Sequence, residues 1–572
     1  MEYKWVKRDS ASLQKVEKLV KEVKITPLIA NLLVHRGIDT FEKAEHFFRP
    51  KLANVNSPFL FKQMEEAVQT LAKAIEKNQK IRLFGDYDVD GTTAVAIMYN
   101  VLLNHTDNVD FYIPDRYAEG YGLSRTGAQS AMDHNVDLLI TLDCGIRSVE
   151  LLNELNEFGM KIIVCDHHEP GETLPNAIVL DPKTPNETYP FDGLSGAGVG
   201  FKLLEGLYQN MGWEQTILHQ QLDLLALSIA ADIVPVTNEN RIYAFHGLEL
   251  MNTQLRPVFK KMFESAKRQG AIKLSDLVFG LAPRINAAGR IRSGNTAVQC
   301  MLESSQADIN ELVNEIERSN NDRKQLDENI TAEALKMVSF EPKDRNSNVL
   351  FAPHWHKGVV GIVASRIIES HPWPTIVLTE SHGVYSGSAR SYGNFDIHQA
   401  LEQLAPLLTQ FGGHQHAAGL AMLPENFETF KIAFDERAKA YFEKYPTEPT
   451  IEIDSHLDFD NLFENESNQS IPKMARILEG FEPYGPGNLK PVFVAKNVYS
   501  LESRLLKEAH LKLKVTQPNS SQQMDAIGFN LAPKEVYTVP GMAFSIAFTL
   551  DINEFRNVKK LQLMIKDLKE DF

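Results

Sequence analysis

The stretch IRLFGDYDVDG, residues 81–91, decides the fold. Its first half is a short, unbroken apolar run, and its second half sets Asp86, Asp88 and Asp90 at alternate positions just ahead of a helical pattern that starts at Thr92. The same punctuation recurs downstream. VDFYIP (109–114), a helix after Ser124, DLLITLD (137–143), a helix after Arg147, KIIVCD (161–166) and AIVLD (177–181) follow one another. Strands that read as continuous apolar runs are covered on both faces, as in a doubly wound parallel sheet, and such sheets deliver polar residues at their carboxyl edge. The spacing therefore predicts an α/β domain whose acidic residues gather along one edge.

Working outward, the charged stretch from Ser304 to Met337 carries Ile309, Leu312, Ile316 and Leu326 at helical spacing without Pro or Gly, which predicts a long connecting helix. A second α/β pattern spans 348–443, with strands near VLFAP (349–353), TIVLT (375–379) and VYSGSAR (384–390). Beyond Pro446 and Pro449, short alternating segments (IEIDSHLDF, PVFVAKNV, LKLKVTQ, MAFSIAFTLDI) predict a small β-barrel interrupted by a helix at 471–479. At 572 residues the chain is too long for one core. The expected division is an N-terminal helical segment (1–60), a first α/β domain (61–300), the connecting helix (301–340), a second α/β domain (341–446) and the barrel (447–572).

The composition, 43% hydrophobic and 23% charged, is that of a globular protein. No apolar run approaches the roughly 20 residues of a membrane span, and the N-terminus lacks a secretory pattern, so a cytoplasmic protein without membrane attachment is expected. Cys144, Cys165 and Cys300 are too few and scattered for a disulfide framework or a zinc knuckle. The net charge of −16 argues against coating nucleic acid through a bulk positive field, so any such contact must be local.

Asp86, Asp88 and Asp90 alone fit either a cation loop or an acidic helix start. Three successive βα units, however, end in Asp86, in Asp143, and in Asp166, His167 and His168, all at one sheet edge. Asp232 follows the apolar helical run LLALSIAA (224–231), where a carboxylate needs a partner and a cation is an available one. This many carboxylates with one or two imidazoles exceeds what one ion needs. Two divalent ions, Mn²⁺ or Mg²⁺, are the expected cofactors.

GDYDVDG, IPDR (113–116), TLDCGI (141–146) and CDHHEP (165–170) resemble the successive motifs of the DHH phosphoesterase superfamily, and GGHQHAAG (412–419) resembles the signature of its associated domain. PRINAAGR (283–290), WHKGVVGIVASR (355–366), SGSARS (386–391) and FEPYGPGNLKPVF (481–493) are similar to the RecJ family within it, with Leu489 standing where that family's pattern often has Pro. The resemblance implies that 61–300 is the DHH catalytic domain, 341–446 the DHH-associated, substrate-binding domain, and the barrel an OB-fold. It implies a 5′-to-3′ exonuclease specific for single-stranded DNA, acting in recombination and repair, with a single-strand-binding protein and a helicase as partners. Such a strand-threading enzyme can work as a monomer. Asp88, Asp90, Asp143, His167 and Asp232 would hold the metals, while Asp86, Asp166 and His168 would complete the catalytic set. Arg116, Arg284, Arg290, Ser388, Arg390, Gly412, Gly413 and His414 would contact substrate. Smaller phosphoesterases of the superfamily and a non-catalytic scaffold are the competing readings; the extended second half disfavours the first, and the occupied ligand positions disfavour the second.

Overall fold

The computed structural model describes residues 2–570 apart from 117, 121, 292–293, 304, 342–343, 464–470, 519 and 556–557, and apart from the side chains of 288, 290, 291 and 555. Five strands form the first sheet: β1 (Ile81–Gly85), β2 (Val109–Tyr112), β3 (Leu138–Leu142), β4 (Lys161–Cys165) and β5 (Ile178–Leu180). Their order is β2-β1-β3-β4-β5 and every pairing is parallel. The chain leaves β1 in one direction to β2 and returns past it to β3, so the order reverses between β1 and β3. In doubly wound sheets that reversal opens a crevice at the carboxyl ends, where ligands bind. β1 and β3 are buried throughout, as helices on both faces demand.

Four helices frame the crevice: α1 (Val89–Leu102), α2 (Gly196–Met211), α3 (Leu222–Ala231) and α4 (Asn238–Thr253). α1 begins at Val89, three residues before the sequence pattern placed it. Asp88 is its N-cap, with Oδ1 accepting from the Gly91 N–H at 3.1 Å. A capping aspartate starts the helix ahead of the apolar period that made it legible.

The chain divides into two compact units, one comprising mainly residues 314–450 and the other most of the remainder. The predicted connecting helix is observed as Gln306–Phe340. In the smaller unit a mixed sheet contains β6 (Asn348–Phe351), β7 (Thr375–Ser381), β8 (Val384–Arg390), β9 (Gln410–His414) and β10 (Ala417–Met422), ordered β9-β10-β8-β7-β6. Strands β9 and β10 were not anticipated. GGHQHAAG lacks the β-branched residues that mark strands, and tertiary pairing overrides that propensity.

In the larger unit the C-terminal strands close a barrel. β12 (Phe493–Leu506), β13 (His510–Thr516), β14 (Met524–Gly528), β15 (Ala543–Phe555) and β16 (Val558–Glu570) pair in the cycle β12-β13-β14-β16-β15-β12, and the short β11 (Ser455–His456) runs parallel to β12. The sequence pattern omitted β14 and β16; the latter is lysine-rich along its exposed face. N-terminal helical residues Leu19, Ile29, Leu32 and Leu33 share one apolar core with Phe493, Phe544, Phe548 and Leu563 of the barrel. Among the described residues no helix is long and apolar enough to cross a membrane.

Candidate metal centre

Each strand end at the crevice delivers its polar residue differently. Asp86, directly after β1, is fully buried; its Oδ1 accepts from the Gly122 N–H at 3.3 Å and its Oδ2 has no hydrogen-bond partner. Asp90, in the first turn of α1, is held by three donors: the N–H groups of Gly196 (2.7 Å) and Ala197 (3.0 Å) at the start of α2, and the Ser228 hydroxyl of α3 (2.6 Å). A helix N-terminus receives a carboxylate well. Asp143, directly after β3, adopts a left-handed backbone (φ 60°), which Asp tolerates better than most residues. A Cβ on Gly196 would lie 2.5 Å from Asp143 Oδ1, so this approach requires glycine.

After β4, Asp166 spends both oxygens on protein donors. Oδ1 accepts from the N–H groups of His167 (2.8 Å) and His168 (3.2 Å) and from His168 Nδ1 (2.7 Å), while Oδ2 accepts from the Ile146 N–H (2.9 Å). Its role in the geometry is to orient His168. His167 Nδ1 lies 2.9 Å from the Leu194 carbonyl oxygen, which can only accept, so the ring proton sits on Nδ1. Nε2 then carries a lone pair, and it faces Asp143 Oδ1 at 3.2 Å, Asp232 Oδ2 at 3.5 Å and Asp90 Oδ2 at 3.8 Å. A lone pair and three carboxylates pointing at one another repel unless a cation lies among them.

Two groups of donor atoms converge within 4.8 Å: Asp90, His167 and Asp232, and Asp143, His167 and His168. His167 belongs to both. Asp88 is in neither; it caps α1 and adds its charge. The donor set fits divalent ions on two grounds: Asp86 Oδ2 and Asp143 Oδ1 are buried without hydrogen-bond partners, and mixed imidazole and carboxylate donors suit Mn²⁺ and Mg²⁺.

Electrostatics agree with that fit. Burial, then the repulsion of Asp88, holds Asp86 well above the ordinary carboxylate range. Burial, then the charge of Asp90, raises Asp88 and Asp143 and pushes Asp232 up to about 8. Burial lowers His167 and keeps it neutral, as a ligand must be. Burial would also raise Asp166, but the bond and charge of His168 bring it down to about 2, and the same pairing raises His168 against its own burial.

Sequence reasoning missed Asp181, which ends β5 as the other acids end their strands. It is fully buried, Oδ2 lacks a partner, and burial followed by the nearby Asp166 charge pushes it to about 7. The Ser195-Gly196-Ala197 helix start that holds Asp90 was also missed, although a serine cap in a glycine-rich run was its signal.

The other candidates are placed as follows. The Arg116 guanidinium lies 4.8 Å over the Tyr87 ring, beside the aspartate run. Arg284 is buried and donates to the Gly280 carbonyl at 2.7 Å. The Arg290 side chain lies outside the described residues. In the smaller unit, Arg390 Nη1 donates to Ser388 Oγ (2.6 Å) and to the Ala389 carbonyl (2.8 Å). Gly412, Gly413 and His414 form much of the edge strand β9; Gly412 pairs with Gly419, which in turn pairs with Ser388, so two glycines lie beside that serine across three strands. Gly413 has φ 143°, and a Cβ there would meet the Ala417 carbonyl oxygen at 2.4 Å.

Comparison with known proteins places this geometry in a family. Residues 80–229 match the DHH family N-terminal domain, 346–440 the DHHA1 domain and 463–567 the RecJ OB domain. The single-stranded-DNA-specific exonuclease RecJ of Bacillus subtilis (strain 168) is 36% identical over 97% of this chain and 69% of its own length. That of Escherichia coli (strain K12) is 31% identical over 95% of this chain and 96% of its own. The crystal structure of RecJ in complex with Mn²⁺ from Thermus thermophilus superposes with a TM-score of 0.83 at 28% identity, covering 100% of this chain and 80% of that one. Centre, domains and relatives agree: the chain belongs to the RecJ family of DHH proteins.

Proposed function

We propose that the chain is a metal-dependent exonuclease that hydrolyses single-stranded DNA from its 5′ end. The observation that carries this reading is the His167 Nε2 lone pair facing three carboxylates, a donor set suited to divalent ions, in a chain similar to named single-stranded-DNA exonucleases. Asp88, Asp90, Asp143, His167 and Asp232 would hold two ions, Mn²⁺ or Mg²⁺. Bound there, such ions supply a hydroxide near neutral pH and neutralise charge on the scissile phosphate. The protein's own work is positioning. The Leu194 carbonyl fixes the His167 tautomer; Gly196, Ala197 and Ser228 fix Asp90; Asp166 holds His168 by Nδ1, so that Nε2 hydrogen-bonds a phosphate oxygen or passes a proton to the leaving group. Arg116, Arg284 and Arg290 add cations along the strand, and Ser388 and Arg390, with Gly412, Gly413 and His414, receive the 5′ phosphate.

The division assigned is catalytic DHH domain 61–300, connecting helix 301–340, substrate-binding domain 341–446 and OB-fold 447–572 after an N-terminal helical segment 1–60. The protein acts as a cytoplasmic monomer in recombination and repair, with strands presented by a helicase and a single-strand-binding protein.

The test is digestion of a 5′-phosphorylated, 3′-labelled single strand with Mn²⁺, with Mg²⁺ and with chelator, beside Asp143→Ala protein. Metal-dependent shortening from the 5′ end, absent in the variant, is expected. Equal digestion of a blunt duplex would overturn strand specificity, and strand binding without cleavage under either metal would overturn the activity.

A further inference from the structure

A cavity of about 560 Å³ in the larger unit is lined by Val236, Thr237 and Asn238, on the segment that continues from Asp232. Three cations also line it, Arg36, Lys43 and Arg241, and among the described residues no carboxylate does. Arg241 is 5% exposed, and its guanidinium lies 4.0 Å over the Phe47 ring. Its Nη2 donates to the carbonyls of Gly480, Phe481 and Glu482, while Nε has no partner. Arg36 lies 5.1 Å over Phe481 and donates to Asn488 Oδ1 and to the carbonyls of Leu32 and Leu489. Phe47 and Phe481 meet edge to face at 5.2 Å, so the two guanidiniums flank one ring pair.

Carbonyls satisfy donors but carry no net charge. Buried charges are ordinarily paired, and here the buried Arg241 and the half-buried Arg36 face one cavity, each without an ion-paired carboxylate among the described residues. Lys43 pairs with Asp39, which Lys15 shares. Helix α4 starts at the same cavity with no side-chain cap at Thr237, adding the positive end of its dipole. The carboxylate of its first turn, Glu239, is engaged with Lys202 at 2.7 Å.

We propose that this cavity is a second anion site that takes a phosphate monoester of nucleotide size, a 5′-nucleoside monophosphate. Planar guanidiniums suit phosphate, Phe191 offers an apolar wall for a base, and the volume falls within the roughly 300–1,000 Å³ of small-molecule sites. That the nucleotide is the enzyme's own product rests on the proposed function; the binding does not.

The test is hydrogen exchange on the intact chain in chelator, with 5′-deoxyadenosine monophosphate, inorganic phosphate or deoxyadenosine. Protection of segments 36–47 and 236–242 by the nucleotide is expected, with inorganic phosphate requiring at least about tenfold more ligand and deoxyadenosine giving none. Arg241→Gln would also cut three carbonyl ties, so Asn238→Asp is the discriminating variant. Asp tolerates the left-handed backbone there (φ 48°) and suits a helix start, so its melting temperature holds while nucleotide protection weakens at least about tenfold. Absence of protection by both phosphate ligands, protection by deoxyadenosine alone, or undiminished protection in Asn238→Asp would overturn the site. Equal potency of phosphate and nucleotide would overturn the nucleotide assignment. Protection in a protein without nuclease activity would uphold the site and refute only its link to the product.

Discussion

Two clusters of buried carboxylates lie in the same unit and end in opposite states. Around Lys202, which is fully buried, Nζ meets Glu205 at 2.8 Å, Glu239 at 2.7 Å and the Asn56 carbonyl at 2.9 Å. Tyr243 and Asn56 complete the hydrogen bonding, and Tyr189 donates to Glu239 at 2.6 Å. Around His167, the carboxylates of Asp90, Asp143 and Asp232 crowd one neutral imidazole, and Asp143 Oδ1 has no hydrogen-bond partner. The first cluster contains its own cation and ties segments together. The second, buried except at the half-exposed Asp232, has its cation left out of the covalent sequence. The deficit of positive charge, more than the number of acids, distinguishes a binding centre from a structural one.

The sharpest way to break this comparison is to remove one carboxylate from the second cluster. Asp143→Ala should lower nuclease turnover by on the order of 10³-fold or more, as loss of one member of a cooperating set does. In chelator the melting temperature of Asp143→Asn, which also tolerates the left-handed backbone, should not fall, because a repelling charge has gone; a marked fall would mean that the Asp143 carboxylate is structural. The counterpart is Lys202→Met. Leaving Glu205 and Glu239 buried without their cation should cost about 3–5 kcal/mol, read as a lower denaturation midpoint, with turnover per folded molecule retained. A variant as stable as the parent would erase the contrast.

The two clusters were unequally legible in the sequence. Asp86, Asp143 and Asp166 could be read because each follows an apolar run that only a buried strand explains, and the parallel order then brings their ends together. Asp232 was legible through the apolar helix before it. Lys202, Glu205 and Glu239 look like ordinary helical charges; their burial depends on packing between distant segments, which no local period records. The division of labour between Asp88 and Asp90 was hidden too, since it depends on where α1 begins. Strands β9 and β10 escaped because glycine and alanine carry no strand signature.

Asn240 links the second cluster to its support. It is fully buried, and its Nδ2 donates to the Gly193 carbonyl at 2.6 Å and the Pro235 carbonyl at 3.0 Å. Gly193 adjoins Leu194, whose carbonyl sets the His167 tautomer, and Pro235 follows closely on Asp232. Asn240→Ala should therefore weaken Mn²⁺ affinity by about 10–100-fold, the range for outer supports of a metal. Metal titration followed by the melting temperature checks this, and unchanged affinity would confine Asn240 to packing.

The smallest effect is a pH slope that should reverse with metal. Asp232 is raised in the folded chain from the ordinary 3.8 to about 8. Its protonated form favours folding, so the contribution is full below the unfolded value and is lost as pH climbs through about 8. In chelator the melting temperature should fall by a few degrees between about pH 6 and pH 9. His168, raised by Asp166, adds to the fall in the same direction, so the difference between parent and Asp232→Asn isolates the carboxylate. Saturating Mn²⁺ selects the ionised carboxylates and releases their protons, so the slope should flatten or turn upward. The Lys202 cluster, already supplied with its cation, should contribute nothing to that metal-dependent difference. Parallel slopes with and without Mn²⁺ would mean that the crowded carboxylates are relieved by something other than a divalent ion.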